Sequence, residues 1–277
     1  MYILADPLAL IIRPIYELIN NYAYTLIIVT ILIRILTIPF TVMSQKNVAK
    51  TQLIQPELAA IQKKYANDRD KLAMEMQNLY TKHGVNPLGG CLPLIVQMFI
   101  LFGFIGVIYN PLQYILQLSK DEIAQIAAAV NQAKNTQDVY LCGIEGVAQK
   151  IKDLGHTPIN FDFFGMNLAQ MPKGSTDLKV WIFPVLAVLS TIASSYITKI
   201  QTKSQMSGSG NEQAQSMSDT MLKIMPVMTA VFTYMMPVAM SLYWFVSTVL
   251  QIIQQTVINN VINEKVKKEI SAERKGK

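Results

Sequence analysis

The sequence predicts an all-α integral membrane protein: five transmembrane helices, with a cytoplasmic helical hairpin between the first and the second. Three observations carry that expectation. Of 277 residues, 51% are hydrophobic and 15% charged, with a mean hydropathy of +0.29, whereas a soluble domain carries about 25% charged residues. Five apolar stretches approach the roughly twenty residues that cross a hydrocarbon core of about 30 Å. Between the first two of these, a long polar stretch keeps its apolar residues at helical spacing.

Residues 1–21 set Leu8, Ile11, Ile12, Ile15, Leu18 and Ile19 at helical spacing around Arg13, Glu17 and two prolines. This suits an amphipathic segment lying in the membrane interface rather than crossing it. Residues 22–43 are the first span. Its run YAYTLIIVTILIRILTIPF is apolar except for a few hydroxyls and Arg34. At about 1.5 Å per residue, Arg34 sits roughly 9 Å inside the Phe40 end. A guanidinium at that depth costs about 2.5–3.5 kcal/mol or more, and it cannot shed its proton to escape. It must snorkel, pair, or face water held inside the protein.

Residues 44–90 read as the hairpin. Leu58, Ile61 and Tyr65 form one narrow apolar seam, and Leu72, Met76 and Leu79 another, with Asn67 and Asp68 as the turn between them. Pro56 opens the first helix, where its missing N–H costs nothing; Gly84 and Pro87 close the second. Residues 91–109 form the second span, in which Gln97 is the one strongly polar side chain. Residues 110–179 are an extracytoplasmic loop. Its stretch 122–135 reads as an amphipathic helix with Ile123, Ile126 and Val130 inward, and the remainder, including NFDFFGMNLAQMP, as irregular structure with interfacial aromatics.

Residues 180–198 are the third span, striped with Ser190, Thr191, Ser194 and Ser195. Residues 199–220, with SGSGNEQAQSMS, read as a flexible cytoplasmic linker. The fourth and fifth spans, 221–236 and 238–259, are separated only by Pro237, which forces an antiparallel pair. Residues 260–277 are a basic tail.

Lysine and arginine favour the cytoplasm in short flanking loops. The hairpin carries Lys46, Lys50, Lys63, Lys64, Arg69, Lys71 and Lys82, the linker region Lys199, Lys203 and Lys223, and the tail is basic again. The loop 110–179 offsets its lysines with acidic residues. The expected placement is a multi-pass protein of a bacterial plasma membrane, N-terminus outside and C-terminus cytoplasmic, which puts Arg34 in the inner leaflet. The first stretch lacks a basic leader region and a small-residue cleavage site, so no leader peptide is read in it. Cys91 falls in a membrane segment and Cys142 in a water-side loop, so no disulfide is expected between them.

Catalysis finds little support. The only histidines, His83 and His156, lie in aqueous segments, and no Asp or Glu falls within an expected span, which excludes the usual intramembrane protease sites. There is no phosphate loop and no cysteine–histidine metal cluster. No enzyme, cofactor or metal site is expected. A small-molecule or ion pore or carrier stays open as the alternative.

Three stretches are recognisable. QPELAAIQKKYANDRDKLAMEMQNLYTKHGVNPLGGCLPLIVQMFI, LIRILTIPF and MPVMTAVFTYMMPVAMSLYWFVSTVLQIIQQ resemble, in order, the cytoplasmic hairpin with the second core helix, the arginine-bearing first helix, and the last two helices of the YidC family of membrane-protein insertases. The likeness covers nearly the whole chain. It is to the Gram-positive type, without a large extracytoplasmic domain. The third span carries hydroxyls around Ser194 where the family often has a glutamine.

The resemblance implies a polar inner-leaflet groove lined by Arg34, Gln97, Ser190, Thr191, Ser194, Tyr243, Trp244 and Gln251. It also implies a hairpin whose Lys63, Lys64, Tyr65, Arg69 and Lys71 meet incoming segments. The implied partners are nascent membrane proteins, the ribosome through the basic tail, the Sec translocon and the bilayer, with a monomer as the working form. Met221, Met225, Met228, Met235 and Met236 of the fourth span suit either an adaptable sliding surface or ordinary packing.

Overall fold

The computed structural model describes residues 5–86, 92–133, 136–206 and 212–275; the expectations for Pro87 and Cys91 lie outside them. In chain order the elements are α1 (Ala5–Ile19), α2 (Tyr22–Leu36), α3 (Ile38–Leu53), α4 (Gln55–Lys64), α5 (Arg69–Lys82) and α6 (Leu92–Tyr109). Then come α7 (Pro111–Tyr114), α8 (Lys120–Ala129), α9 (Asp138–Cys142), α10 (Val147–Asp153) and a two-stranded hairpin, β1 (Asp162–Phe163) with β2 (Met166–Asn167). A 3-10 turn, Leu178–Trp181, leads into α11 (Ile182–Met206), followed by α12 (Glu212–Met235) and α13 (Val238–Lys275).

The described residues are mostly helical, as expected. Among them one helix, Leu178–Ile200, is long and apolar enough to cross a membrane. A second qualifies if the pair Tyr22–Leu36 and Ile38–Thr51, bent by 49°, is one span, while Ile95–Tyr109 and Leu222–Met235 are shorter apolar helices. In α13 the glutamines 251, 254 and 255 dilute an otherwise apolar run. The break in the first span differs from the continuous helix expected over 22–43. Pro39 explains it: the residue has no N–H to donate to the carbonyl of Ile35, and its ring disfavours helical geometry just before it. Helix also reaches further into the linker 199–220 than its composition suggests, through Met206 and again from Glu212.

Two compact units divide the chain. The first comprises Met1–Arg34, Gln97–Ile192 and Pro226–Val249. Helix α1 buries Ala5, Leu8, Ile12 and Tyr16, whereas Ile11 and Leu18, expected on the same stripe, are exposed. It ends at Asn20, which takes a left-handed φ of 53°, a conformation that asparagine tolerates better than most residues. Asn21 then caps α2: its Oδ1 accepts from Tyr24 N (3.2 Å), while its Nδ2 donates to Asp162 O (2.9 Å). Asn160 joins the same seam, its carbonyl accepting from Tyr22 N and its N–H donating to the Tyr16 hydroxyl, both at 2.9 Å.

The loop 110–179 is folded rather than irregular. Ser119 and Glu122 form a reciprocal capping box at the start of α8, worth about 1 kcal/mol. That helix stops at Ala129, short of the expected residue 135, because Asn131 turns left-handed at φ 57°; Ile123 and Ile126 are buried as expected. Further on, Phe161 and Leu168 are buried in the core of this unit. The backbone beside them supports a distant helix. The carbonyls of Gln170 and Leu168 accept from Val238 N and Ala239 N, both at 2.9 Å. These are among the first N–H groups of α13, which no helix can satisfy internally. The loop thus caps a helix some seventy residues away in sequence.

The second unit comprises Ile35–Val96, Ala193–Met225 and Leu250–Lys277. In it α4 opens with Pro56 in its first turn and packs on α5 through Ile54, Leu58, Leu79 and Val85, with Ile61, Met76 and Tyr80 alongside. Asp68 caps α5 by accepting from Lys71 N at 3.1 Å. Helices α3 and α13 meet through Ala49, Ile258 and Val42, and Gln254 Nε2 donates to Thr41 Oγ1 at 3.0 Å.

Asp138 is buried at 5% exposure, with Oδ2 accepting from Gln113 N at 3.1 Å. Burial raises its carboxyl from 3.8 to about 6, against the opposing pull of the backbone N–H bonds. The folded state therefore holds the proton more tightly than the unfolded chain, and stability falls as pH rises from about 4 to 6. Asp138→Asn keeps an acceptor for Gln113 but cannot ionise. Thermal unfolding in detergent micelles should show the variant more stable than wild type at pH 7, by on the order of 2 kcal/mol, with the gap closing at pH 4.

Candidate functional site

Two polar contacts cross the apolar interior of the first unit. Arg34, in the last turn of α2, donates from Nη2 to Ser247 Oγ on α13 at 2.6 Å. Gln97 on α6 donates from Nε2 to the Tyr243 hydroxyl on α13 at 3.4 Å. Tyr243 and Ser247 are one helical turn apart on α13, so the two contacts place four polar side chains along one line from α6 to α2. Both hydroxyl residues are buried, Tyr243 with its ring stacked on Phe104 at 4.1 Å between centroids.

The chemistry of this arrangement is electrostatic. Ser247 satisfies a guanidinium donor without cancelling its charge. The half-buried Arg34 keeps a unit positive charge in surroundings of low dielectric, where Coulomb interactions are several-fold stronger than in water. Nothing in the network is a nucleophile activated by a base.

The other expected residues are placed differently. Ser190 and Thr191 are buried, and their hydroxyls donate to the carbonyl of Ala187 on their own helix, at 2.9 and 2.8 Å. Trp244 is partly buried and stacks on Phe232 at 6.2 Å between centroids. Ser194 and Gln251 belong to the second unit. So do Lys63, Lys64, Tyr65, Arg69 and Lys71, which gather at the α4–α5 turn. There the Lys64 ammonium lies 5.1 Å over the Tyr65 ring, and Lys71 Nζ is 3.4 Å from Asp68. In the methionine row, Met225, Met228 and Met235 are exposed, Met235 and Met236 line an apolar cavity of about 410 Å³ with Phe102, Tyr109 and Tyr140, and the side chain of Met221 lies outside the described residues.

Sequence reasoning missed Ser247. Its signal was present in retrospect: it follows Tyr243 by four residues, so both lie on one face of α13. Removing it should leave a charged donor without this acceptor. Ser247→Ala is expected to lower stability by on the order of 2 kcal/mol, read as a fall in the thermal unfolding midpoint in micelles, while Ser247→Thr retains the hydroxyl and most of the stability.

The family described as 60Kd inner membrane protein matches residues 14–266. A Fusobacterium nucleatum protein named membrane protein insertase YidC is 30% identical over 251 residues, which is 91% of this chain and 92% of that protein. Membrane protein insertase MisCA of Bacillus subtilis is 30% identical over 243 residues, 86% of this chain and 70% of MisCA. Against the longer YidC of Wolinella succinogenes the identity is 27% over 261 residues, and the chain spans 38% of that relative. With a family match over nearly its full length, and a relative of its own size at 30% identity, the chain belongs to the 60Kd inner membrane protein family, the family of the YidC insertases.

Proposed function

We propose that this protein is a membrane-protein insertase, taking nascent membrane proteins from the cytoplasm and releasing their apolar segments into lipid. The observation that carries the reading is the charge of Arg34, held inside an apolar helix by a neutral hydroxyl on α13. Family membership supplies the context, and the names of its relatives the activity.

In the proposed mechanism a polar groove lies in the inner leaflet, with Arg34, Gln97 and Tyr243 at its centre and Ser190, Thr191 and Trp244 toward its walls. A short acidic tail of the substrate is drawn toward the guanidinium. The apolar segment then slides into lipid, driven by burial worth about 25 cal/mol per Å². The tail is released outward, and no covalent step or cofactor is needed. The α4–α5 hairpin faces the cytoplasm and receives incoming segments through Lys63, Lys64, Tyr65, Arg69 and Lys71. The Sec translocon is a further partner, and the working form is a monomer.

The decisive experiment is insertion of a single-spanning protein with an acidic tail into liposomes holding the purified chain. Arg34→Ala should abolish insertion and Arg34→Lys largely keep it, since the mechanism uses charge rather than a forked guanidinium. Equal loss in both would indicate specific guanidinium geometry instead. Solute leakage without insertion by wild type would make the protein a pore and Arg34 its selectivity residue.

The basic end of α13 meets ribosomal RNA through phosphates in this reading. Ribosome co-sedimentation with the proteoliposomes should fall steeply as salt rises, and should be lost when residues 264–277 are removed.

A further inference from the structure

The tip of the β1–β2 hairpin is built in an unusual way. Asp162 pairs with Asn167 and Phe163 with Met166, so Phe164 and Gly165 form the whole turn, both at positive φ, 54° and 74°. A two-residue turn of this kind favours asparagine or glycine at its first position. A bulky aromatic there is an outlier, and this one is 81% exposed. An outlier of this kind points to a function for the side chain.

Its surroundings indicate what covers it. Phe163, the preceding residue, packs against Tyr24 in the first turn of α2 and Phe183 in the first turn of α11. Asn21 holds the backbone of Asp162. Strand β2 contacts the 3-10 turn Leu178–Trp181, where Leu178 is 84% exposed. Leu178 is the first residue of the one helix, among the described residues, that is clearly apolar and long enough to cross a membrane. It also opens a stripe: Leu178, Ile182, Val185, Leu189 and Ile192 are all exposed, at alternating intervals of four and three residues. The hairpin tip is therefore tied to the rim of this exposed apolar stripe. Beside it, Lys179 Nζ lies 3.6 Å from where a side chain on Gly165 would begin.

We propose that Phe164 and Leu178 form a two-pronged wedge inserted into the phospholipid leaflet around the N-terminal end of α11, with Lys179 at the headgroup phosphates. Apolar prongs with an ammonium beside them match the boundary between acyl chains and headgroups. The wedge anchors the folded loop 110–179, and through it the carbonyls that cap α13. The inference rests on the membrane reading but not on insertase activity.

The test uses the full chain in phosphatidylcholine–phosphatidylglycerol liposomes. Phe164→Trp, Leu178→Trp and Val185→Trp are made singly, and wild-type emission from Trp181 and Trp244 is subtracted. All three added signals should be quenched by lipids brominated on the acyl chain and be shielded from aqueous iodide. If Val185→Trp is quenched by bromolipid while Phe164→Trp is open to iodide, the wedge is overturned and the membrane reading survives. The wedge is overturned in the same way if only Leu178→Trp of the two prongs is quenched. If Val185→Trp also escapes bromolipid, both readings fall together.

Discussion

A charge that cannot be neutralised, placed where charge is expensive, is the constraint around which this protein is arranged. Arg34 remains a cation at any pH the membrane experiences, so the fold must accommodate it rather than titrate it away. A buried serine on α13 accepts one hydrogen bond at 2.6 Å, and the tyrosine one turn before that serine receives a second polar contact, from Gln97. A carboxylate in the serine's place would have made a tighter pair and removed the positive potential. The hydroxyl holds the side chain and leaves the field.

That arrangement depends on where α13 begins. Tyr243 and Ser247 lie in its first three turns, and the opening N–H groups of the helix are taken by Gln170 and Leu168 of the loop. The loop is in turn fastened to the start of α2 through Asn160, Asp162, Asn21 and Tyr22. Both helices that supply the Arg34–Ser247 contact are therefore referenced to one folded segment. A polar loop whose composition suggests little order sets the register of the charged site. Each capping bond is worth about 1 kcal/mol, but together they fix two helix ends that apolar packing alone would leave free to slide.

Kinship and geometry support each other at different levels. Family membership covers nearly the whole chain and brings the insertase reading; the hydrogen-bond network supplies the held charge on which the proposed transfer relies. Catalysis in the covalent sense has no place in that scheme. In the proposed mechanism the energy comes from apolar burial of the substrate in lipid, and the groove keeps the polar tail out of hydrocarbon.

Much of this was legible from residues alone. Apolar runs, the α4 start at Pro56 and the turn at Asn67 and Asp68 are local signals, set by residues close in sequence. Arg34 stood out because a guanidinium in a hydrocarbon-length run has a fixed cost. The direction of a hydroxyl is another matter. Ser190 and Thr191 return to the carbonyl of their own helix, while Ser247 reaches across to another; in sequence the three look alike, since a helical serine or threonine can do either. The order of the loop 110–179 was hidden for a related reason: its carbonyls find their partners at Val238 and Ala239, far along the chain. Sequence by itself determined that the chain is mostly helical, and the charge and its cost, because these depend on neighbours within a few residues. Only the tertiary structure decided which hydroxyl meets the charge and what holds the end of α13, because those contacts exist only once distant segments are packed together.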